Sequence, residues 1–265
     1  MNIPFLAKKE EYVPISPLIG EADDYNVYYP DQKERILWFI IGMIVSGAVL
    51  YIFYEKPIIS VIFGVVFGIA FVPIRTKQVI KKRKKKLTTQ FRSLLDALST
   101  SIGAGRNMYD SFSAAADDLA VQYEDADIVN EVRIIKTGLD NGIQIEDLLL
   151  NFADRSGIED IRNFANVFAT CYKKGGNIKD VIKNTTKIIG DKIEIQMELE
   201  TMVAGTKNEM NVMLVLPVIF IIVMKTMGGE MIDLKSGIGM ISVTIALVIF
   251  IIAFFVGKKI TNIHF

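Results

Sequence analysis

Residues 36–54 and 57–74 are two uncharged apolar runs, separated only by Glu55 and Lys56. Each is near the roughly 20 residues that a helix needs to cross a bilayer core, so the pattern predicts a helical hairpin in a membrane. A second pair follows. Residues 210–227 are apolar apart from Asn211, Lys225 and Thr226, residues 237–257 carry no charge, and the short segment between them holds Glu230, Asp233 and Lys235. Between the pairs, residues 87–209 contain no proline and show helical periodicity rather than strand-like alternation. Phe91, Leu94, Leu95 and Leu98 follow the i, i+3, i+4, i+7 spacing of a buried helical stripe, and Ile161, Phe164, Ala165 and Phe168 do the same. A long helix is expected from Ile178 past Met202 toward the third apolar run.

Glycines punctuate this central stretch. The segments starting at Gly105, Gly142 and the Gly175-Gly176 pair each place an aspartate a few residues on: Asp110, Asp147 and Asp180. A glycine in the left-handed conformation ends one helix, and an aspartate in the next first turn complements the exposed amides and the positive end of the helix dipole. Asn107 and Asn177 are good N-caps in these positions, and Gln144 is a poorer one. The expected fold class is an all-α membrane protein, with two transmembrane helical hairpins flanking a cytoplasmic bundle of about six helices joined by short turns. Its expected domains are an N-terminal segment (1–35), hairpin 1 (36–74), the helical domain (75–209), hairpin 2 (210–257) and a tail (258–265).

Charge then gives the orientation. Residues 75–86 hold Arg75, Lys77, Lys81, Lys82, Arg83, Lys84, Lys85 and Lys86 and no acid, which marks this end as cytoplasmic by the positive-inside rule. Two crossings on each side place both termini and the central domain there too, with Lys258 and Lys259 in agreement, in a cell or inner membrane. Residues 1–30 mix acids with Lys8 and Lys9 and lack the apolar centre of a signal peptide. The basic run is also a candidate contact for lipid headgroups or an acidic partner, each charge near an anionic surface contributing about 1 kcal/mol. Nucleic acid is not an expected partner, because residues 87–209 carry 13 basic and 20 acidic side chains and so repel phosphate.

The sequence offers little catalytic chemistry. It has no P-loop, no GxSxG elbow and no HExxH, and one cysteine (Cys171) with one histidine (His264) cannot build a Cys/His zinc site. No cofactor, metal or enzymatic activity is expected. Most acids occupy helix starts and polar faces, where solvated charge is the default, and this is also the plain reading of Asp117 and Asp118. Gly64 and Gly68 form a GxxxG pair suited to close helix packing, and Gly42 with Ser46 is a small-residue pair in the preceding run. Packing between the two helices of one chain explains them more simply than a dimer. Pro217 is expected to free a backbone carbonyl in the third run, and Lys225 to reach the interface.

The order of two membrane helices, an acidic helical domain and two membrane helices resembles the type II secretion F-domain family, and within it the tight-adherence (Tad) pilus platform proteins. The resemblance rests on Gln90-Phe91-Arg92-Ser93-Leu94-Leu95-Asp96-Ala97-Leu98 followed by Gly105, on Gly175-Gly176-Asn177-Ile178, and on Pro217 in the next apolar run. Platforms of secretion and type IV pilus systems usually carry two such domains, and the single domain here fits the Tad type. The resemblance implies a non-enzymatic platform that couples a cytoplasmic hexameric secretion ATPase to insertion or extraction of pilin-like subunits, alongside a paralogous platform protein or a second copy. On that reading Asp117 and Asp118 are candidate ATPase contacts. A membrane-tethered signalling adaptor or a small transporter subunit would share parts of the layout, although three of the four runs lack the buried ionisable residue a transporter wants.

Overall fold

The computed structural model describes residues 12–226 and 237–261. It is all-helical, with no strand among the described residues: α1 (Gln32–Tyr54), α2 (Pro57–Gly103), α3 (Met108–Gln122), α4 (Asp127–Asp140), α5 (Ile145–Ser156), α6 (Glu159–Lys173), α7 (Ile178–Thr226) and α8 (Gly237–Thr261). The connecting segment with Glu230, Asp233 and Lys235, the side chains of Lys225, Lys258 and Lys259, and His264 lie outside the described residues. The chain divides into two compact units, one of residues 1–29 and 78–194, the other of residues 30–77 and 195–265.

In the first unit, α3 to α6 are short amphipathic helices, each packed on the next in the chain. They close on the second half of α2 and the start of α7. Both predicted stripes are in the core: Phe91, Leu95, Leu98, Ala165 and Phe168 are fully buried, with Leu94, Ile161 and Phe164 nearly so. Rings tie the layers together. Phe91 meets Phe164 edge-on at 5.5 Å and Phe152 at 6.1 Å, and Phe164 continues to Phe168 at 5.6 Å. Edge-to-face contacts of this kind contribute about 0.5–1.5 kcal/mol beyond the area they bury.

Turn chemistry sets the helix boundaries. Gly105, Gly142 and Gly175 have φ of +85°, +77° and +67°, a region closed to most L residues, whereas Gly176 is not left-handed. Gly176 is instead close to Cys171: its amide donates to the Cys171 carbonyl at 2.8 Å, and a Cβ there would stand 2.5 Å from the thiol sulfur. Asn107 accepts from the Asp110 amide at 2.8 Å, Asn177 and Asp180 bond each other, and Gln144 makes no cap bond. Two breaks depart from this pattern of glycine, capping residue and aspartate. One is the loop after α3, where Asp125 takes φ +51°, and the other is Gly157 at +56° after α5.

In the second unit, α1 starts at Asp31, whose carboxylate accepts from the Gln32 amide, and ends at Glu55 in the left-handed conformation; Pro57 then opens α2. Gly42, Gly64 and Gly68 bring α1 and α2 together. A Cβ on Gly68 would lie 3.0 Å from the Phe39 ring and carbonyl, one on Gly42 2.8 Å from Phe71 Cβ, and one on Gly64 3.2 Å from the Met43 carbonyl. The Ser46 hydroxyl is satisfied within its own helix, donating to the Gly42 carbonyl at 2.6 Å. Among the described residues three helices are long and apolar enough to cross a membrane: Gln32–Tyr54, Pro57–Gly103 and Ile178–Met224, each with an 18-residue stretch of mean hydropathy 2.4, 2.5 and 1.7 respectively. They expose side chains such as Ile44 and Ile58, as helices facing hydrocarbon do. Helix α2 runs unbroken through Pro73 and the whole basic stretch to Gly103, and α7 runs unbroken through Pro217.

Nothing stands within 4 Å of a Cβ placed on Gly142. Only the backbone conformation therefore opposes substitution there, and Gly142→Val should lower stability by about 1–2 kcal/mol, with Gly142→Asn recovering much of the loss because asparagine tolerates that region. Gly138, inside α4, is the opposite case, since a Cβ would meet Leu148 Cδ2 at 2.4 Å. Gly138→Ala should destabilise through overpacking, by about 1–3 kcal/mol. Denaturation midpoints of the detergent-solubilised chain should show asparagine rescue at 142 and none at 138.

Candidate functional site

The most heavily built polar site in the first unit is made by residues for which the sequence shows no motif. Arg155 in α5 and Glu131 in α4 are both buried, with side-chain exposures of 1% and 0%, and they form a two-pronged ion pair with Nη1–Oε1 at 2.7 Å and Nη2–Oε2 at 2.5 Å. The third guanidinium face is also used, Nε donating to Asn151 Oδ1 at 2.9 Å. Burying two charges is costly, so such a pair persists only when its geometry is good and its remaining hydrogen-bonding capacity is filled.

Residues from the extreme N-terminal side complete the filling. The Tyr25 hydroxyl donates to Glu131 Oε1 at 2.8 Å, the Tyr25 amide donates to the Arg155 carbonyl at 2.9 Å, and Arg155 Nη1 donates to the Asp23 carbonyl at 3.2 Å. Residues 12–29 thus form an irregular strap across α4 and α5. Asp24 folds the strap on itself: its carboxylate accepts from the Tyr12 hydroxyl, the Ile15 amide, and both the amide and side chain of Asn26, all between 2.7 and 2.8 Å. Burial pushes the Asp24 carboxyl up, but these donors together outweigh it and hold the group below its ordinary value. Burial, assisted by the Asp24 carboxylate, raises the Tyr12 phenol, and burial beside Glu131 raises Tyr25 strongly.

Two members of the basic run take part in the same site. Arg83 grips Asp127 through Nε at 2.9 Å and Nη2 at 2.6 Å, reaches Asp23 at 2.7 Å, and lies 4.7 Å from the centre of the Tyr25 ring. The Asp127 hydrogen bond holds the Arg83 guanidinium above its ordinary value. Asp127 lies in the first turn of α4, where Ala126 supplies no cap, so its carboxylate serves both the helix end and Arg83. Lys84 donates to Asn26 Oδ1 at 2.6 Å and to the Gly157 carbonyl at 3.3 Å, and burial lowers its pKa. Arg75, Lys77, Lys81, Lys82, Lys85 and Lys86 are exposed. The eight basic residues are therefore not one continuous strip: Arg83 and Lys84 hold the strap.

Gly157 allows this closure. A Cβ there would lie 1.9 Å from Asn26 Oδ1 and 2.7 Å from Lys84 Nζ, and its positive φ would strain any other residue. A sequence signal existed in the Ser156-Gly157 step between two apolar stripes. The strap gives none, because its buried part is only Asp24 and Tyr25. Between the strap and α4 lies an open cleft of about 540 Å³, bordered by Ser16, Glu21, Asp127 and Asn130. Asp117 and Asp118 are elsewhere, exposed on α3 beside a second open cleft of about 600 Å³ that also has Arg106 and Asp110 at its edge. Gly64 and Gly68 lie in the other unit, against α1. Among the described residues no group of acids, histidines or cysteines is arranged to hold a metal.

An all-helical chain with three helices fit to span a membrane and a bundle of short helices is of the integral-membrane class. Residues 94–225 match the model of the family described as Type II secretion system (T2SS), protein F. The matched residues take in the end of α2, all of α3 to α6 and nearly all of α7, and leave out the strap, α1 and α8. No curated protein and no solved structure matches the chain. The domain and the apolar helices together point to an inner-membrane protein.

Two outcomes test the site. Arg155→Ala leaves Glu131 buried and unpaired and should destabilise the first unit by about 3–5 kcal/mol, whereas Glu131→Leu with Arg155→Met should cost far less, as read by chemical denaturation. The Asp24 carboxyl is held below its unfolded value of 3.8. Its contribution is therefore fully present above that value and lost as pH falls through the lower, folded one. Acidification below about pH 4 should loosen residues 12–29 in hydrogen exchange, and Asp24→Asn should loosen them at neutral pH.

Proposed function

We propose that this chain is an inner-membrane platform protein of a type II secretion or type IV pilus machine of the Tad kind, coupling a cytoplasmic hexameric ATPase to pilin insertion or protein export. The observation that carries the reading is the T2SS protein F domain at residues 94–225, in a chain with apolar helices before and within it. The chain has no nucleotide-binding motif, so the work it transmits must come from a partner. In this reading α1, the start of α2, the end of α7 and α8 are four crossings, residues 75–209 and both termini face the cytoplasm, and the six exposed basic residues of α2 meet anionic headgroups. The ATPase docks on the helical domain, with the exposed acids Asp117 and Asp118 on α3 as candidate contacts. Pilin-like subunits engage the membrane part, beside a paralogous platform protein or a second copy.

Topology is testable by thiol labelling. With Cys171 replaced, Ser113→Cys should resist an impermeant reagent in intact cells and react after permeabilisation. Labelling from outside would sink the proposed orientation. The full-length chain in detergent should retain the cognate ATPase in a pull-down while hydrolysing no nucleotide itself. That retention should weaken with salt if acidic contacts carry it, and should fall when Asp117→Lys and Asp118→Lys are combined. A strain lacking the chain should lose surface pili or export; normal assembly there, with no paralogue to compensate, would overturn the functional assignment.

A further inference from the structure

The strap differs from the rest of the first unit in kind. It has no helix or strand of its own, only Asp24 and Tyr25 of residues 12–29 are buried, and an open cleft remains beside its middle, from Ser16 to Tyr25. Its anchoring bonds reach residues more than 100 positions away, from Tyr25 to Glu131 and from Asn26 to the carbonyls of Asp154 and Arg155. The receiving surface, by contrast, has bonds of its own that do not involve the strap, and water can take the places that the strap leaves. With the strap lifted away, Glu131 keeps both guanidinium bonds from Arg155, Arg155 Nε keeps Asn151, and Asp127 keeps Arg83. The surface also has a defined chemistry. Glu131 presents an acceptor for a phenol, Arg83 offers a cation both to an acid and to the face of a ring, Lys84 offers a donor to an amide oxygen, and Gly157 leaves room for that amide.

We propose that the face formed by α4, α5 and the Arg83-Lys84 step of α2 is a preformed groove recognising a non-helical segment with an acid, a tyrosine and an asparagine, and that residues 12–29 fill it as a detachable ligand in cis. Asp23 meets Arg83, Tyr25 lies between the Arg83 guanidinium and the Glu131 carboxylate, and Asn26 bridges Lys84 to the end of α5. Recognition resides in side chains that the bundle holds in place for itself, so the groove survives when empty. This inference does not depend on the secretion role proposed above, because it concerns only contacts within the first unit.

The test uses the full-length chain in detergent with a specific protease site inserted between Tyr29 and Pro30. After cleavage and dilution the strap should dissociate while helical content and thermal unfolding are retained. A fluorescent synthetic peptide of residues 12–29 should then rebind saturably. The same peptide with Tyr25→Ala should bind about tenfold or more weakly, as expected for loss of a hydrogen bond to a charged group. The groove is overturned if cleavage melts the helices, if the cleaved strap never leaves, if the peptide fails to rebind, or if the Tyr25→Ala peptide binds equally well.

Discussion

The ion pair between Glu131 and Arg155 is the constraint around which the first unit is organised. Arg155 is the largest of its fully buried side chains. A guanidinium in that position has no acceptable unpaired state, so α4 and α5 must keep the register that brings the two residues opposite each other. Asn151, one turn before Arg155, then fixes the plane of the guanidinium, and the remaining capacity at Glu131 is what Tyr25 uses. A purely apolar contact between α4 and α5 could slide by part of a turn at modest cost. This pair cannot, and the strap's seat is defined to the same tolerance.

Small residues mark the close approaches in both units, by the same steric argument. Gly138 admits Leu148, Gly157 admits Asn26 and Lys84, and Gly42 with Gly68 admits Phe71 and Phe39. In water the gain from such contact adds to hydrophobic burial. Between helices in hydrocarbon it is the main driving force, since the lipid is as apolar as the side chains it would replace. Glycine in these places is therefore a packing residue, Gly157 taking a positive φ as well, whereas at 105 and 142 an added Cβ would touch nothing and glycine acts through φ alone.

Periodicity made the aromatic and aliphatic core legible: Phe91, Leu95, Phe164 and Phe168 are apolar at helical spacing and are buried as that spacing requires. Capping was legible for similar reasons, since Asn107 and Asn177 follow glycines within two residues and sit three residues ahead of aspartates. The strap was not, because an irregular segment with only two buried side chains leaves no period, and Tyr25 pairs with a residue 106 positions away. Glu131 and Arg155 read as ordinary members of charged helices, because burial of a charge depends on what folds over it. The basic run was legible as a cluster but not as a division of labour, since only the partners Asp23, Asn26 and Asp127 separate Arg83 and Lys84 from their neighbours.

That division follows from helical geometry. Arg83 and Lys84 are adjacent in α2 and about 100° apart around its axis, close enough to straddle one seam, and Leu87 and Phe91 continue the buried side of the same helix. Lys81, Lys82, Lys85 and Lys86 flank that seam and are exposed. A uniform basic run on a helix therefore cannot serve one purpose once one side of the helix is buried. Its inward members must find acids or carbonyls, and its outward members stay exposed. The acids that meet the inward pair come from two places, Asp127 at the start of α4 and Asp23 in the strap, and the proposed release of the strap would remove only the second. Arg83 thus has a permanent partner in the bundle and an exchangeable one outside it. A side chain placed in this way can report the presence of the strap without the bundle depending on it.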